Sequence, residues 1–188
     1  MSLLSIFMMA ALLAVSSLVY ANEPPVTDTT ESIAKAKNKP AIRGGIVFRA
    51  YCVLCHGERA DGKARASKLY GTVDLNVNNG RDYIEKNIRY GGKAVGRSDV
   101  MPSWQEELSE EQINDVVEYV SIVKDQIARG EVVYKTNCIL CHGVKADGKG
   151  RASVLFDPPP ANLTLSDKND EYKKMIITLG GKQWDDPK

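Results

Sequence analysis

Cys52-Val53-Leu54-Cys55-His56 and Cys138-Ile139-Leu140-Cys141-His142 are the stretches of this sequence whose residue types and spacing can do chemistry. Two thiols three positions apart, with an imidazole directly after the second, can hold the two vinyl-derived carbons of a haem in thioether bonds and present the histidine to its iron. The four cysteines and two histidines of the chain all fall inside these two copies, so no thiol is left over for a structural disulfide. A thioredoxin-like redox pair would need a strand ahead of the motif, whereas the residues preceding each copy read as helical. A four-cysteine zinc ribbon would need its pairs about fifteen to twenty residues apart; Cys138 lies 83 positions after Cys55. Two ordinary disulfides in an exported protein would leave both histidines unexplained. The motifs therefore read as covalent attachment of two haems through Cys52, Cys55, Cys138 and Cys141, with His56 and His142 on the irons.

A chain of 188 residues suits one to two domains. With 43% hydrophobic residues and 25 basic against 24 acidic side chains it reads as globular, without the basic excess or stripe that a nucleic-acid partner would show. Residues 1–22 carry no charged side chain, and the apolar run from Leu3 to Val19 ends in Val19-Tyr20-Ala21 ahead of Glu23-Pro24-Pro25. This predicts a signal peptide over 1–21, hence export to the periplasm. No Lys or Arg precedes the run, so the alternative is an uncleaved anchor that leaves the protein membrane-bound and facing the periplasm. Residues 22–42 are rich in Thr, Glu, Lys and Pro and poor in large apolar side chains, which predicts a flexible leader.

The two motifs sit in a tandem repeat. Cys141 follows Cys55 by 86 positions, and at that offset Gly44 and Phe48 match Gly130 and Tyr134. His56-Gly57 and Ala60-Asp61-Gly62-Lys63 likewise match His142-Gly143 and Ala146-Asp147-Gly148-Lys149, and Arg65-Ala66-Ser67 matches Arg151-Ala152-Ser153. Farther on, Gly91-Gly92-Lys93 matches Gly180-Gly181-Lys182 at an offset of 89, because the second copy carries extra residues around Pro158-Pro159-Pro160. A repeat this long can enclose its own core, so the pattern predicts two domains, 43–126 and 127–188.

The elements that must position the motifs read as helices. Arg43 to Tyr51 offers one apolar face, Ile46, Val47 and Ala50, leading into the first motif. Arg81 to Tyr90 places Tyr83, Ile84 and Ile88 on one side. Ser109 followed by Gln112 has the spacing of a capping box, with Glu110 and Glu111 suited to the positive helix start. Ile113, Val116, Val117 and Val120 then fall at i, i+3, i+4 and i+7. The prediction is an all-α chain.

Each copy resembles a class I cytochrome c domain, fully over about residues 42–123 and only in part from 127 onward. The resemblance implies an N-terminal helix running into the haem motif and crossing a C-terminal helix near a Gly and an aromatic residue, places that Gly44, Phe48 and Tyr119 fit. It also implies a methionine ligand in a loop before the last helix, commonly followed by Pro. Val100-Met101-Pro102-Ser103-Trp104 fits that place, and Met101 is the only methionine between Asn22 and Lys174. Thioether and imidazole together raise a haem's reduction potential and fill both axial positions, which implies an electron carrier rather than a catalyst. Pro158-Pro159-Pro160 resembles the family's loop in which a proline carbonyl accepts the histidine's ring N–H, which makes Pro160 the candidate partner of His142, the alternative being a rigid turn; the first copy has Thr72-Val73 in that neighbourhood.

In the second copy the counterpart of Met101 would fall at position 190, past Lys188, and the final helix is likewise missing. The favoured expectation is that the encoded protein continues. The others are a natural truncation with an open coordination site, able to bind small ligands or react with peroxide, and a segment supplied by a partner chain. The link between the copies, around Asp125 to Ala128, is short enough to keep them in contact. Lys63, Arg65 and Lys68, with Lys145, Lys149 and Arg151, could steer acidic redox partners or simply solvate their loops. The sequence thus predicts a periplasmic dihaem c-type cytochrome shuttling single electrons between redox partners. Its alternatives are a haem subunit of a larger oxidoreductase, such as a membrane respiratory complex or a periplasmic dehydrogenase or reductase, and a peroxidatic haem protein.

Overall fold

The computed structural model describes residues 27–77 and 79–180. The apolar N-terminal run with its expected cleavage site, the start of the leader, and Gly181-Lys182 of the repeat lie outside the described residues. Among the described residues the chain is helical with no strand, as the apolar periodicities predict.

The first domain is built on a crossing of two helices. Helix α2 (Pro40–Tyr51), preceded by a short helix α1 (Thr30–Lys37), opens with Pro at a position where its missing N–H costs nothing. It runs into α3 (Val53–His56), a single turn made of the first motif itself. A further turn, α4 (Ser67–Tyr70), and helix α5 (Arg81–Tyr90) lead to α6 (Glu110–Ile122). Ser109 and Gln112 form the expected capping box at the start of α6, each side chain bonding the other's backbone N–H. Ile113, Val116, Val117 and Val120 of α6 are buried together with Ile42 and Phe48 of α2, each side chain contributing about 1.5–3 kcal/mol of apolar burial.

The crossing needs Gly44. A Cβ there would lie 1.9 Å from the carbonyl oxygen of Asp115 and 3.0 Å from Tyr119 Cβ, so only glycine lets the backbones come this close. Beside it, the Arg43 guanidinium donates from Nε and Nη2 to the two carboxylate oxygens of buried Asp115, at 2.6 and 2.7 Å, tying α2 to α6. Phe48 and Tyr119 pack at 5.1 Å between ring centroids on the other side of the crossing.

The second copy repeats the front half of this plan: α7 (Gln126–Asn137), the motif turn α8 (Ile139–His142) and α9 (Asp170–Leu179). The Asp125 side chain caps α7 by accepting from the N–H groups of Ile127 and Ala128, so only three residues separate the domains' helices. Helix α7 lies on α2: Val132 is buried against Gly45, where a Cβ would come within 2.5 Å of Val132 Cγ1. Arg49 donates to Asn137 Oδ1 at 2.9 Å, so the ends of α2 and α7 that enter the two Cys-x-x-Cys-His motifs lie side by side. In contrast to the first domain, no residue of α9 is buried, and among the described residues nothing stands within 4 Å of a Cβ built on Gly130, the counterpart of Gly44. The helix that would cross at Gly130 and cover α9 has no counterpart among the described residues.

One expectation fails. The leader, predicted flexible over 22–42, is helical over Thr30–Lys37, and the first domain's helix begins at Pro40 rather than 43. The reason is local capping plus a distant partner. Thr29 Oγ1 accepts from Ser32 N, and the segment lies on the second domain with Asp28 and Ala36 buried. Composition registers neither a side-chain cap nor a surface more than a hundred positions away.

Candidate functional site

Each motif forms the same backbone hook. In the first, the N–H of His56 bonds to the Cys52 carbonyl at 2.9 Å and Gly62 N to the His56 carbonyl at 3.0 Å; His142 with Cys138, and Gly148 with His142, repeat this at 3.0 and 2.9 Å. Gly57 (φ 81°) and Gly143 (φ 84°) reverse the chain after the histidine. Even a non-glycine left-handed residue is shared, Ala60 (φ 54°) and Ala146 (φ 60°), which accept from Leu75 N and Leu163 N at 2.8 Å. The helix preceding each motif thus delivers both thiols and the imidazole to one wall of a domain.

In the first domain that wall borders a cavity of about 390 Å³. Cys52, Cys55, His56 and Met101 all line it, and apolar side chains including Phe48, Ile84, Ile88, Val116 and Val120 make up much of the remainder. Met101 is half-buried against the core. Its loop is tied to the start of the loop after α5 and to the last turn of α5: Gly92 N bonds to the Met101 carbonyl at 3.1 Å, Trp104 N to Ile88 O at 3.0 Å and Ser103 Oγ to Arg89 O at 2.6 Å. Trp104 meets Tyr51 edge-on at 5.5 Å, joining this loop to α2. Gly91 is required here, since a Cβ would stand 2.7 Å from the Met101 carbonyl oxygen.

The electrostatics fit a bound porphyrin better than the other uses of these residues. Burial, and then the neighbouring Cys55, push the Cys52 thiol up to about 12, and burial followed by Cys141 raises Cys138. A nucleophilic or redox-active cysteine needs the opposite shift. All four cysteines are free thiols, and among the described residues no group of three or more His, Cys, Asp and Glu gathers to hold a bare metal ion. Burial pushes His56 below the usual imidazole range, against a weaker opposing effect of the Val73 carbonyl. That carbonyl does not reach hydrogen-bond geometry, and His56 Nδ1 is buried without a partner. A neutral imidazole and a thioether in an apolar cavity are a donor pair suited to haem iron, and the two thiols beside them suit thioether bonds to the porphyrin. In the second domain Cys138, Cys141 and His142 are half-buried.

The ring of His142 is held, but not by Pro160. Its Nδ1 lies 3.1 Å from the carbonyl oxygen of Ala161, the next residue. The Pro160 carbonyl is turned toward Gly148, 2.4 Å from where a Cβ would be, just as Thr72 O faces Gly62 at 2.7 Å. Ala161 and Val73 are therefore equivalent. Sequence reading also missed Tyr134, whose hydroxyl donates to the Gly143 carbonyl at 2.7 Å, and Asp28, whose carboxylate accepts from Val144 N at 2.6 Å. The exchange of Phe48 for Tyr134 between copies was the available signal for the first; the second left none.

The family model described as cytochrome c oxidase, cbb3-type, subunit III matches residues 40–120, and the cytochrome c model matches 127–188. The chain is 32% identical over 118 residues to the Cbb3-type cytochrome c oxidase subunit CcoP of Rhodobacter capsulatus, covering 56% of this chain and 39% of that protein. The same subunit of Cereibacter sphaeroides is 31% identical over 122 residues, 59% and 41% of the two chains. That of Azospirillum brasilense is 23% identical over 155 residues, 70% and 50%. The matched stretch thus spans about two fifths to half the length of these relatives. No solved structure matches.

Proposed function

From the membership of this chain in the class I cytochrome c family, as two cytochrome c domains in tandem, we propose that it carries two covalent haems and works as the electron-transferring haem subunit of a larger respiratory oxidoreductase. When bound, each haem c supplies reversible one-electron exchange. The chain's own residues supply the rest. Cys52 with Cys55, and Cys138 with Cys141, are the points of thioether attachment. His56 and Met101 would hold the iron of the first haem, and His142 that of the second. The apolar lining of the first cavity excludes water, and the Ala161 carbonyl fixes the ring of His142 through Nδ1, leaving Nε2 for the metal.

The observation that carries the reading is the shared cavity, a largely apolar space lined by two thiols, an imidazole and a thioether. The subunit role, in preference to a freely diffusing shuttle, is supported by the relatives, which are subunits of a cbb3-type oxidase. The side-by-side ends of α2 and α7 support an internal path from one haem to the other. The proposed location is the periplasmic side, reached through residues 1–21, either as a cleaved signal or as an anchor. Among the described residues no helix is long and apolar enough to cross a membrane. The test is to make the full chain with haem-maturation machinery in an oxidising compartment, weigh it, and purify it from its native membranes. Two porphyrin masses on one polypeptide that co-purifies with a respiratory oxidase are expected. A colourless product overturns the haem assignment, and a fully haemylated protein recovered alone overturns the subunit role.

A further inference from the structure

The two haem motifs are alike in backbone but not in what fastens them. In the second, the peptide unit joining Gly143 to Val144, one residue past His142, is gripped at both polar ends. Tyr134 Oη donates to its carbonyl at 2.7 Å, and its N–H donates to Asp28 Oδ2 at 2.6 Å. Asp28 comes from the segment ahead of α1, 116 positions away, and is only 9% exposed. The same segment holds the following loop again, through Thr27 N to Lys149 O at 3.3 Å and through a hydrogen bond from Arg151 to Thr30 Oγ1. In the first domain Phe48 replaces Tyr134 and has no hydroxyl to give, and the atoms nearest a Cβ on Gly57 are those of Asp61 and Ala64 in its own loop, whereas the three nearest one on Gly143 include Asp28 Oδ2.

We propose that residues 27–37 are a built-in strap of the second haem-attachment motif, with Asp28 a positioning residue that fixes the Gly143–Val144 peptide immediately behind His142. The strap keeps the ligand-bearing turn from opening. A fixed carboxylate beside that turn also favours the more positive oxidation state of a metal held by His142, lowering the potential of that site alone. This last consequence rests on the haem reading above; the clamp does not.

The experiment compares the full haemylated chain with D28A and D28N by hydrogen exchange, by paramagnetic resonance and by redox titration. Val144 N–H is expected to exchange at least about tenfold faster in D28A and near the parent rate in D28N, whose amide oxygen can still accept. D28A is expected to shift the resonance of one haem, the one that M101H leaves unmoved. D28N is expected to retain the parent resonance while raising that haem's potential, and D28N reports even if D28A does not fold. Unchanged exchange at Val144 in D28A, or equal shifts of both haems in either variant, overturns the proposal. A chain lacking two haems would sink the reading of the preceding subsection and leave the exchange result to decide the clamp.

Discussion

Met101 and His56 reach one cavity from loops held by different elements, His56 by the turn after α2 and Met101 by the end of α5. If Met101 is the sixth ligand, M101H replaces a soft thioether, which raises the potential, by a second imidazole. The expected result is a fall on the order of 0.1 V in one haem's potential, a fraction of the roughly 0.8 V that axial ligands span, with the other haem unmoved. Redox titration checks it, and an unchanged pair of potentials would remove Met101 from the iron. At this scale the sequence was informative about residue type and poor about backbone. Cysteine, histidine and methionine are few enough that chemistry and spacing single them out. Which carbonyl meets His142 depends on how the proline-rich loop turns, and residue types alone do not separate Pro160 from Ala161. Asp28 was invisible because a buried carboxylate looks like any other in a polar stretch.

The helices themselves were legible wherever one face is apolar and an end is capped, as in α6, and the leader helix was missed because its partner surface lies far along the chain. The crossing of α2 and α6 turns a sequence equivalence into a physical difference. Gly44 and Gly130 match in the repeat, yet one faces the Asp115 carbonyl and the other open space. G44A must force the two helices apart, a change of the overpacking kind that costs about 1–3 kcal/mol. G130A adds a methyl with room to spare inside α7 and removes glycine's excess backbone freedom, a gain of about 0.5–1 kcal/mol. Chemical denaturation of the haemylated protein should show G44A less stable and G130A slightly more stable than the parent. If both variants lose stability alike, something already covers Gly130. The equivalence also explains why α9, amphipathic like α5, has no buried residue: its counterpart packs on α6, and no described helix takes that place in the second copy.

Across the whole molecule, the two domains are joined by a patch rather than by the link alone. Val132 sits at Gly45, Arg129 donates to the Arg59 carbonyl at 3.2 Å, and Glu131 takes Lys39 from the start of α2 together with Lys135 of its own helix. Hydrogen bonds from Lys135 and then Lys39 hold the Glu131 carboxyl down at about 2 from an ordinary value of 4.5, and Glu131 in turn raises Lys39. A carboxyl lowered by folding stabilises the folded state fully above its unfolded value, and that contribution drains away as the pH falls toward the folded one. The Glu131 clamp should therefore hold above about pH 4.5 and fade between there and about pH 2. Because Glu131 is 44% exposed, water and salt screen the pair and the effect is modest. E131Q, neutral throughout, isolates it. The thermal midpoint of the parent should exceed that of E131Q at about pH 5 and converge with it at about pH 2, and the gap at about pH 5 should narrow in high salt. A gap that stays constant through the acid range would mean that Glu131 acts by packing rather than by charge.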